Sequence, residues 1–228
     1  MNNILVDQEK LELRDTAVEL QIESTRLNLD IYGTVTISEI LSSNKLAELN
    51  ITVHNESSLY YNKFDTLGDY TLEVNINQVK NSNCEFKYSL LAEGEVKLKM
   101  NMNLTGDNNK TVVGIRAASE GGGSIYIDVS GKVKEKTVEN ELIEDIKCLV
   151  LNDSTCTVIP NMLINTDEVM ANHNVSIGAV SNDDIFYLKS KGISDKNAIK
   201  LIRDGFITNN LSLGKDDYTK IKEILNGR

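Results

Sequence analysis

At 228 residues, with 24 Lys and Arg against 34 Asp and Glu, the chain is long enough to bury a real core and carries a net charge of -10. That balance argues against a nucleic-acid or anionic-membrane surface. From Ser181 onward there are nine basic and seven acidic residues, so the tail is about +2 and residues 1–180 carry about -12.

The start, Met1, Asn2, Asn3, Ile4, Leu5, Val6 and Asp7, has no basic region followed by a long apolar run. No later stretch approaches the ~20 apolar residues that span a bilayer, so a cytoplasmic, soluble chain is expected. Cys84, Cys148 and Cys156 are odd in number and lie apart, which speaks against a disulfide framework and fits a reducing compartment. Without a C-x-x-C, no self-contained zinc or iron–sulfur site can be read from spacing.

From Leu11 to about Ile146 the dominant period is two. Leu11 and Leu13, Ala17 and Leu20, Leu27, Leu29 and Ile31, and Val35 and Ile37 alternate with polar residues, and similar runs follow at 46–53, 71–79, 96–104 and 124–133. This pattern predicts strands with one buried face. Turn formers separate them at Asn44, at 55–58, at 81–83, at 106–109 and at Gly121, Gly122 and Gly123. Many short strands with little helix allow a sandwich, a barrel or a coiled solenoid, and no fixed-period repeat chooses among them.

A strand at 146–151 contains Cys148, read as a buried, inert thiol. Cys156 follows in the polar stretch before Pro160, where a thiolate is reachable for a persulfide or for iron. Met162, Ile164 and Val169 alternate like a strand leading to His173, which stands between Asn172 and Asn174 near that strand's end. Imidazole is a borderline ligand suited to iron; the plainer reading is a histidine bonded to backbone or to its asparagine neighbours. Cys84 and His54 have no matching motif. The glycine run at 121–123 lacks the lysine and helix of a phosphate loop and reads as a turn. The acid pairs Glu144 with Asp145 and Asp183 with Asp184 read as solvated faces and a helix start, not a catalytic dyad. No nucleophilic Ser/His/Asp or Cys/His arrangement is present.

Ser181 and Asp184 have the spacing of a capping box, so a helix is expected from Asn182, with Ile185, Phe186, Leu188 and Tyr187 as its apolar side and Gly192 as its stop. Ser194 caps a second helix carrying Ala198, Ile199, Leu201 and Ile202, which Gly205 is expected to end before Phe206. A third runs over Lys215–Asn226, with Tyr218, Ile221, Ile224 and Leu225 on one face and Gly227 beyond it.

His173, then Phe186, Tyr187 and Leu188, Ser190 to Ile193, Ala198, Leu201 and Ile202, and Gly205 with Phe206, resemble the C-terminal end of the SufB/SufD family of iron–sulfur cluster assembly scaffolds. Upstream, residues 149–153 and Pro160 fit the same pattern, and Pro160 precedes His173 by the thirteen positions expected. The resemblance covers residues 140–207. It implies a mainly β fold, a right-handed parallel β-helix over residues 1–180, closed by a short C-terminal α-helical domain over 181–228 that grips a SufC-like ABC ATPase. Most of Phe186, Tyr187, Leu188, Ile193, Leu201, Ile202 and Phe206 are expected in the helical core, with some anchoring that partner. The ATP site is expected in the partner, since no nucleotide site is visible in this chain, which is not itself expected to be an enzyme.

The resemblance further implies a homodimer or a heterodimer with another SufB/SufD-like chain, a cysteine desulfurase system as sulfur donor, and a transient iron–sulfur cluster held by Cys156 and His173 of two chains. Two departures count against this. Ser154 falls at the family's cysteine position when counted back from Pro160, with Cys156 two residues later, and Asn174 stands where SufB proteins carry a glutamate. A SufD-like structural adaptor without sulfur or iron is therefore the rival reading.

Overall fold

All neighbouring strands in the computed structural model run parallel, in one continuous set of 13. The structure describes residues 2–41 and 45–227. The turn expected at Asn44 and the first residue, Met1, lie outside them.

The strands are β1 (Asn2–Val6), β2 (Lys10–Ile22), β3 (Arg26–Ile40), β4 (Glu48–Val53), β5 (Ser58–Leu67), β6 (Tyr70–Gln78), β7 (Asn83–Ala92), β8 (Glu95–Leu104), β9 (Lys110–Ser119), β10 (Ser124–Val133), β11 (Asn140–Val150), β12 (Thr155–Ile164) and β13 (Val169–Ala179). From β4 onward each coil contributes one strand to either of two facing sheets. Even strands stack as β4, β6, β8, β10 and β12, and odd strands as β5, β7, β9, β11 and β13. The long β3 joins the columns, its first half pairing with β4 and its second with β5. At that corner Gly33 adopts a left-handed φ of 63°, and a Cβ there would fall 2.0 Å from Asp15 Oδ1, the atom that accepts from the Thr34 N–H. The architecture is a flattened parallel β-helix, as expected, followed by three helices.

Side chains at alternate positions of both sheets meet between them. Leu49, Ile51 and Val53 of β4 face Leu59 and Tyr61 of β5 in a single core running the length of the coil stack. On the outside of the even sheet, asparagines of successive coils bond to one another: Asn50 donates to Asn28 at 3.0 Å, Asn75 to Asn50 at 2.9 Å and Asn101 to Asn75 at 2.8 Å. Each amide thereby satisfies its neighbour in register, a ladder that only parallel, in-register strands permit.

Helices α1 (Asn182–Ser190), α2 (Asp195–Thr208) and α3 (Lys215–Asn226) follow. Ser181 accepts from the Asp183 N–H and Ser194 from the Asn197 N–H, so both expected N-caps are in place, and Gly192 is left-handed at φ 83° just past α1. Gly205 does not end α2, which continues through Phe206 to Thr208. One glycine inside a helix is tolerated where the flanking side chains are buried, and here Ile207 is. α2 and α3 cover the outer side of the odd sheet, where Phe64, Leu91 and Ala118 form a second core with Ile207, Ile221 and Leu225. Arg203 of α2 reaches Glu120 at 2.7 and 2.8 Å, and the Asn210 amide donates to the Tyr88 and Gly114 carbonyls. No helix among the described residues is long and apolar enough to cross a membrane.

Candidate functional site

The last coil, β12 and β13, ends the stack, and each of these strands has a partner on one side only. Its inward positions are therefore core positions without a further coil above them, and Cys156, Val158, Met162, Val169 and Val175 pack on the main core while only partly buried. An edge of this kind offers unpaired backbone groups together with apolar side chains, which is what a second chain needs in order to add to the sheets. Pro160 sits in β12 without breaking a ladder because β12 is an edge strand.

Both predicted site residues fall on this coil. Cys156 is not in a polar connection as the sequence suggests but is the second residue of β12, aligned with Ile125 and turned inward. It is half-buried and packs on the same main core that holds Cys148. Hydrogen bonding with Cys148 favours the Cys156 thiolate against the opposing effect of burial, so the Cys156 pKa lies below its ordinary value. Cys148 is held above its ordinary value by the same bond and then by burial. Cys84 lies fully buried in the main core.

His173 lies in the middle of β13, exposed, aligned with Glu144 of β11. Within one chain it is not brought to Cys156. Cys148, on the coil beneath and nearer to Cys156 in sequence, aligns with Ile177, four residues from His173 and so about 13 Å along the strand. Among the described residues no group of three or more His, Cys, Asp or Glu side chains could hold a metal ion. Asn174 points the other way: its amide donates to Asp145 at 3.0 Å on the outer face, where Arg116 also pairs with Asp145.

Glu144 was missed as a buried group. It is not a solvated acid: it is fully buried, with neither carboxylate oxygen hydrogen-bonded. The signal lay in the alternation Leu142, Glu144, Ile146, Cys148, which turns Glu144 to the core side. His54, read as a surface or turn histidine, is half-buried, stacks on Tyr32 at 4.1 Å and lies 2.9 Å from Asp30 Oδ1.

A scan against family models matches residues 16–206 to the SUF system FeS cluster assembly, SufBD core domain. The chain belongs to the SufBD family of iron–sulfur cluster assembly proteins. Curated relatives of this SufBD chain include iron-sulfur cluster assembly SufBD family proteins of Staphylococcus aureus strain USA300, 29% identical over 101 residues, and of Staphylococcus saprophyticus, 28% identical over 101 residues. Each match covers 44% of this chain and 22% of the relative.

A second group of polar residues lies deep inside the SufBD coil stack, unforeseen in the sequence. Lys63 of β5 contacts Glu39 of β3 at 2.5 Å and Asp65 at 2.9 Å, all three buried, while Tyr61 donates to Glu39 at 2.6 Å and Tyr88 to Asp65 at 2.8 Å. Burial acts to lower the Lys63 pKa, but the charges of Asp65 and Glu39 outweigh it and hold the ammonium form. Burial raises Asp65, against the pull of Lys63.

The helical residues expected to anchor a partner divide clearly. Phe186 is 74% exposed, Tyr187 61% and Leu201 52%, whereas Leu188, Ile193, Ile202 and Phe206 are half-buried in the helical layer. α1 buries no residue at all.

Proposed function

We propose that this SufBD chain works in the cytoplasm as a scaffold of a SUF-type iron–sulfur assembly complex. It pairs through the open last coil of its β-helix with a second copy or a related SufB/SufD-like chain, and binds a SufC-like ABC ATPase through its C-terminal helices. The observation carrying this reading is the unfinished coil itself: two strand edges, unpaired among the described residues, frame an inward face that holds Cys156 and His173 and that no further coil among those residues covers. Sulfur and iron are cargo here. Cys156 accepts sulfur from a donor such as a cysteine desulfurase system, and His173 with Cys156 from two chains holds the nascent cluster, since one chain keeps the two apart. Residues 181–228 form the partner-binding part, through Phe186, Tyr187 and Leu201 with Leu188, Ile193 and Phe206 behind them. ATP hydrolysis belongs to the partner, whose closure would strain the pairing of the β-helices.

The adaptor reading, in which the chain holds the ATPase and no cluster, is favoured by one observation. Asn174 is tied to Asp145 outside the core and adds no ligand beside His173.

Anaerobic reconstitution with iron and sulfide, with and without the cognate ATPase, separates the two. The scaffold predicts visible absorption and bound iron that disappear in Cys156→Ser and His173→Ala. A stable ATPase complex without bound iron would leave only the adaptor.

A further inference from the structure

Glu144 is a buried acid that its own coil leaves without a partner. It stands at an inward position of β11, fully buried, and among the described residues neither carboxylate oxygen has a hydrogen bond or an ion pair. Gly131 of β10 faces it across the core, where even a Cβ would come 3.0 Å from Oε1, so the carboxylate reaches into the space between the sheets. The next rung holds His173, the Cα partner of Glu144 in β13. Neighbouring parallel strands lie about 4.8 Å apart, so imidazole and carboxylate occupy adjacent rungs of one inward column. His173 is exposed, its ring has no hydrogen-bond partner among the described residues, and no strand among them pairs above β13. The flanking inward residues of β11, Leu142 and Ile146, are apolar, and Asp145 and Asn174 bond to each other on the outer face. An unpaired carboxylate in a core is costly, and a cation beside it supplies both the countercharge and an acceptor for its lone pairs.

We propose that Glu144 is an oxygen ligand for divalent iron on the last coil, holding it together with His173. The inference rests on the reading above, in which His173 binds iron as cargo, and it adds the acid that Asn174 does not supply. Mixed imidazole and carboxylate donors suit divalent first-row ions. An ion about 2.1 Å from each of two donors, at roughly a right angle, keeps them about 3 Å apart, within the spacing of one rung. Iron enters past His173, from the side that no strand among the described residues covers. Two donors are fewer than a self-contained site needs, in keeping with the lack of any three-ligand group among the described residues. Water, sulfide or groups of the paired chain fill the remaining positions. A shell left open in this way permits exchange, which an ion in transit requires.

The test uses the full chain, reduced and anaerobic, titrated with Fe2+ and with Co2+ as a spectroscopic probe. Bound metal is read by equilibrium dialysis, donor type by cobalt absorption, and linkage to folding by urea unfolding. Wild type should bind Co2+ with the visible bands of nitrogen and oxygen donors and no thiolate-to-cobalt charge transfer, and Co2+ should raise its unfolding midpoint. Cys156→Ser should keep this binding. Glu144→Gln, shown to be folded by circular dichroism, and His173→Ala should each weaken it at least about ten-fold and lose the stabilisation. Equal metal affinity in Glu144→Gln and wild type overturns the inference while leaving His173 and Cys156 in the cluster reading. A wild type that binds neither Fe2+ nor Co2+ overturns it as well. The cluster reading falls on a separate result, an iron and sulfide reconstitution that yields no cluster in wild type even where Co2+ binds.

Discussion

Glu144 lies one coil beneath His173: the two are Cα partners between β11 and β13, and both stand at core-facing positions. Opposite Glu144 is Gly131, where a Cβ would come 3.0 Å from the carboxylate and 2.4 Å from Leu142 Cδ2, so the missing side chain is what gives the acid its room. Room is not solvation. With no hydrogen-bond partner on either oxygen, burial pushes the Glu144 carboxyl up to about 7.

A carboxyl raised by folding is protonated in the native state over a pH range where the unfolded chain has already lost the proton. Native stability from this group is therefore complete below the unfolded value of 4.5 and is lost as pH rises to about 7, at about 1.4 kcal/mol per pH unit. The wild type is expected to be roughly 3 kcal/mol less stable at pH 8 than at pH 5 on account of this one residue. Glu144→Gln should flatten that dependence and raise stability at pH 8, measured by urea unfolding at both pH values. Equal pH slopes in the two proteins would count against a buried, unpaired acid.

Lys63 stands in the opposite situation, as a buried charge fully answered by its neighbours. Lys63→Met leaves Glu39 and Asp65 side by side in the core without a countercharge, and such uncompensated burial costs about 3–5 kcal/mol. The triple variant Lys63→Met, Glu39→Gln, Asp65→Asn should recover much of that loss, because the remaining groups are neutral and Tyr61 and Tyr88 still donate to them. Chemical denaturation of the three proteins decides it; a single variant within 1 kcal/mol of wild type, roughly, would show that the acids ionise little.

The even strands were legible in sequence because their outer face is solvated, so β4, β6, β8 and β10 alternate cleanly between apolar and polar residues. The odd strands were not. β5, β7 and β9 carry helices on their outer side and, in β5, a lysine and an aspartate on their inner side, so from Tyr61 to Leu67 every residue is buried and the period disappears. The coil repeat was equally hidden, because its length grows along the chain: Lys10 pairs with Asn28, 18 residues on, Ser58 with Asn83, 25 on, and Ser124 with Thr155, 31 on. No fixed offset survives that drift. Turn chemistry and caps, which depend on only a few adjacent residues, were read correctly at Gly121 and Gly122, Ser181 and Ser194. At the site, His173 was recognisable from its spacing to Pro160, whereas the inward turn of Cys156 depends on β12 starting at Thr155 and was masked by the polar residues around it.

The attachment of the helices to the odd sheet passes through Gly114 of β9. A Cβ at that position would fall 2.6 Å from Asn210 Oδ1, on the side chain whose amide donates to the Tyr88 and Gly114 carbonyls. Gly114→Ala is expected to displace Asn210 and leave those groups unpaired, a loss of about 1–3 kcal/mol. Cleavage by a nonspecific protease should move to the α2–α3 connection at residues 209–214, with the β-helix still resistant. Unchanged cleavage would mean that the buried apolar contacts of Ile207, Ile221 and Leu225 hold the helices without this anchor.

α1 presents a sharper case, since its stability and its proposed role depend on different atoms. Phe186 and Tyr187 project from a helix with no buried residue, so truncating either removes almost no packing, and Phe186→Ala should leave the melting midpoint within the ~0.5 kcal/mol typical of surface changes. Exposed aromatic pairs of this kind carry binding energy when a partner covers them, commonly about 2 kcal/mol each at an interface centre. Calorimetric titration with the cognate ABC ATPase should therefore show Phe186→Ala and Tyr187→Ala weakened by about ten-fold or more. Leu188→Ala, at a half-buried position of the same helix, should instead lower the melting midpoint. Affinity unchanged in both aromatic variants would remove α1 from the proposed interface, and the groove between α2 and α3 lined by Leu201, Gly205 and Tyr218 would then be the surface to probe.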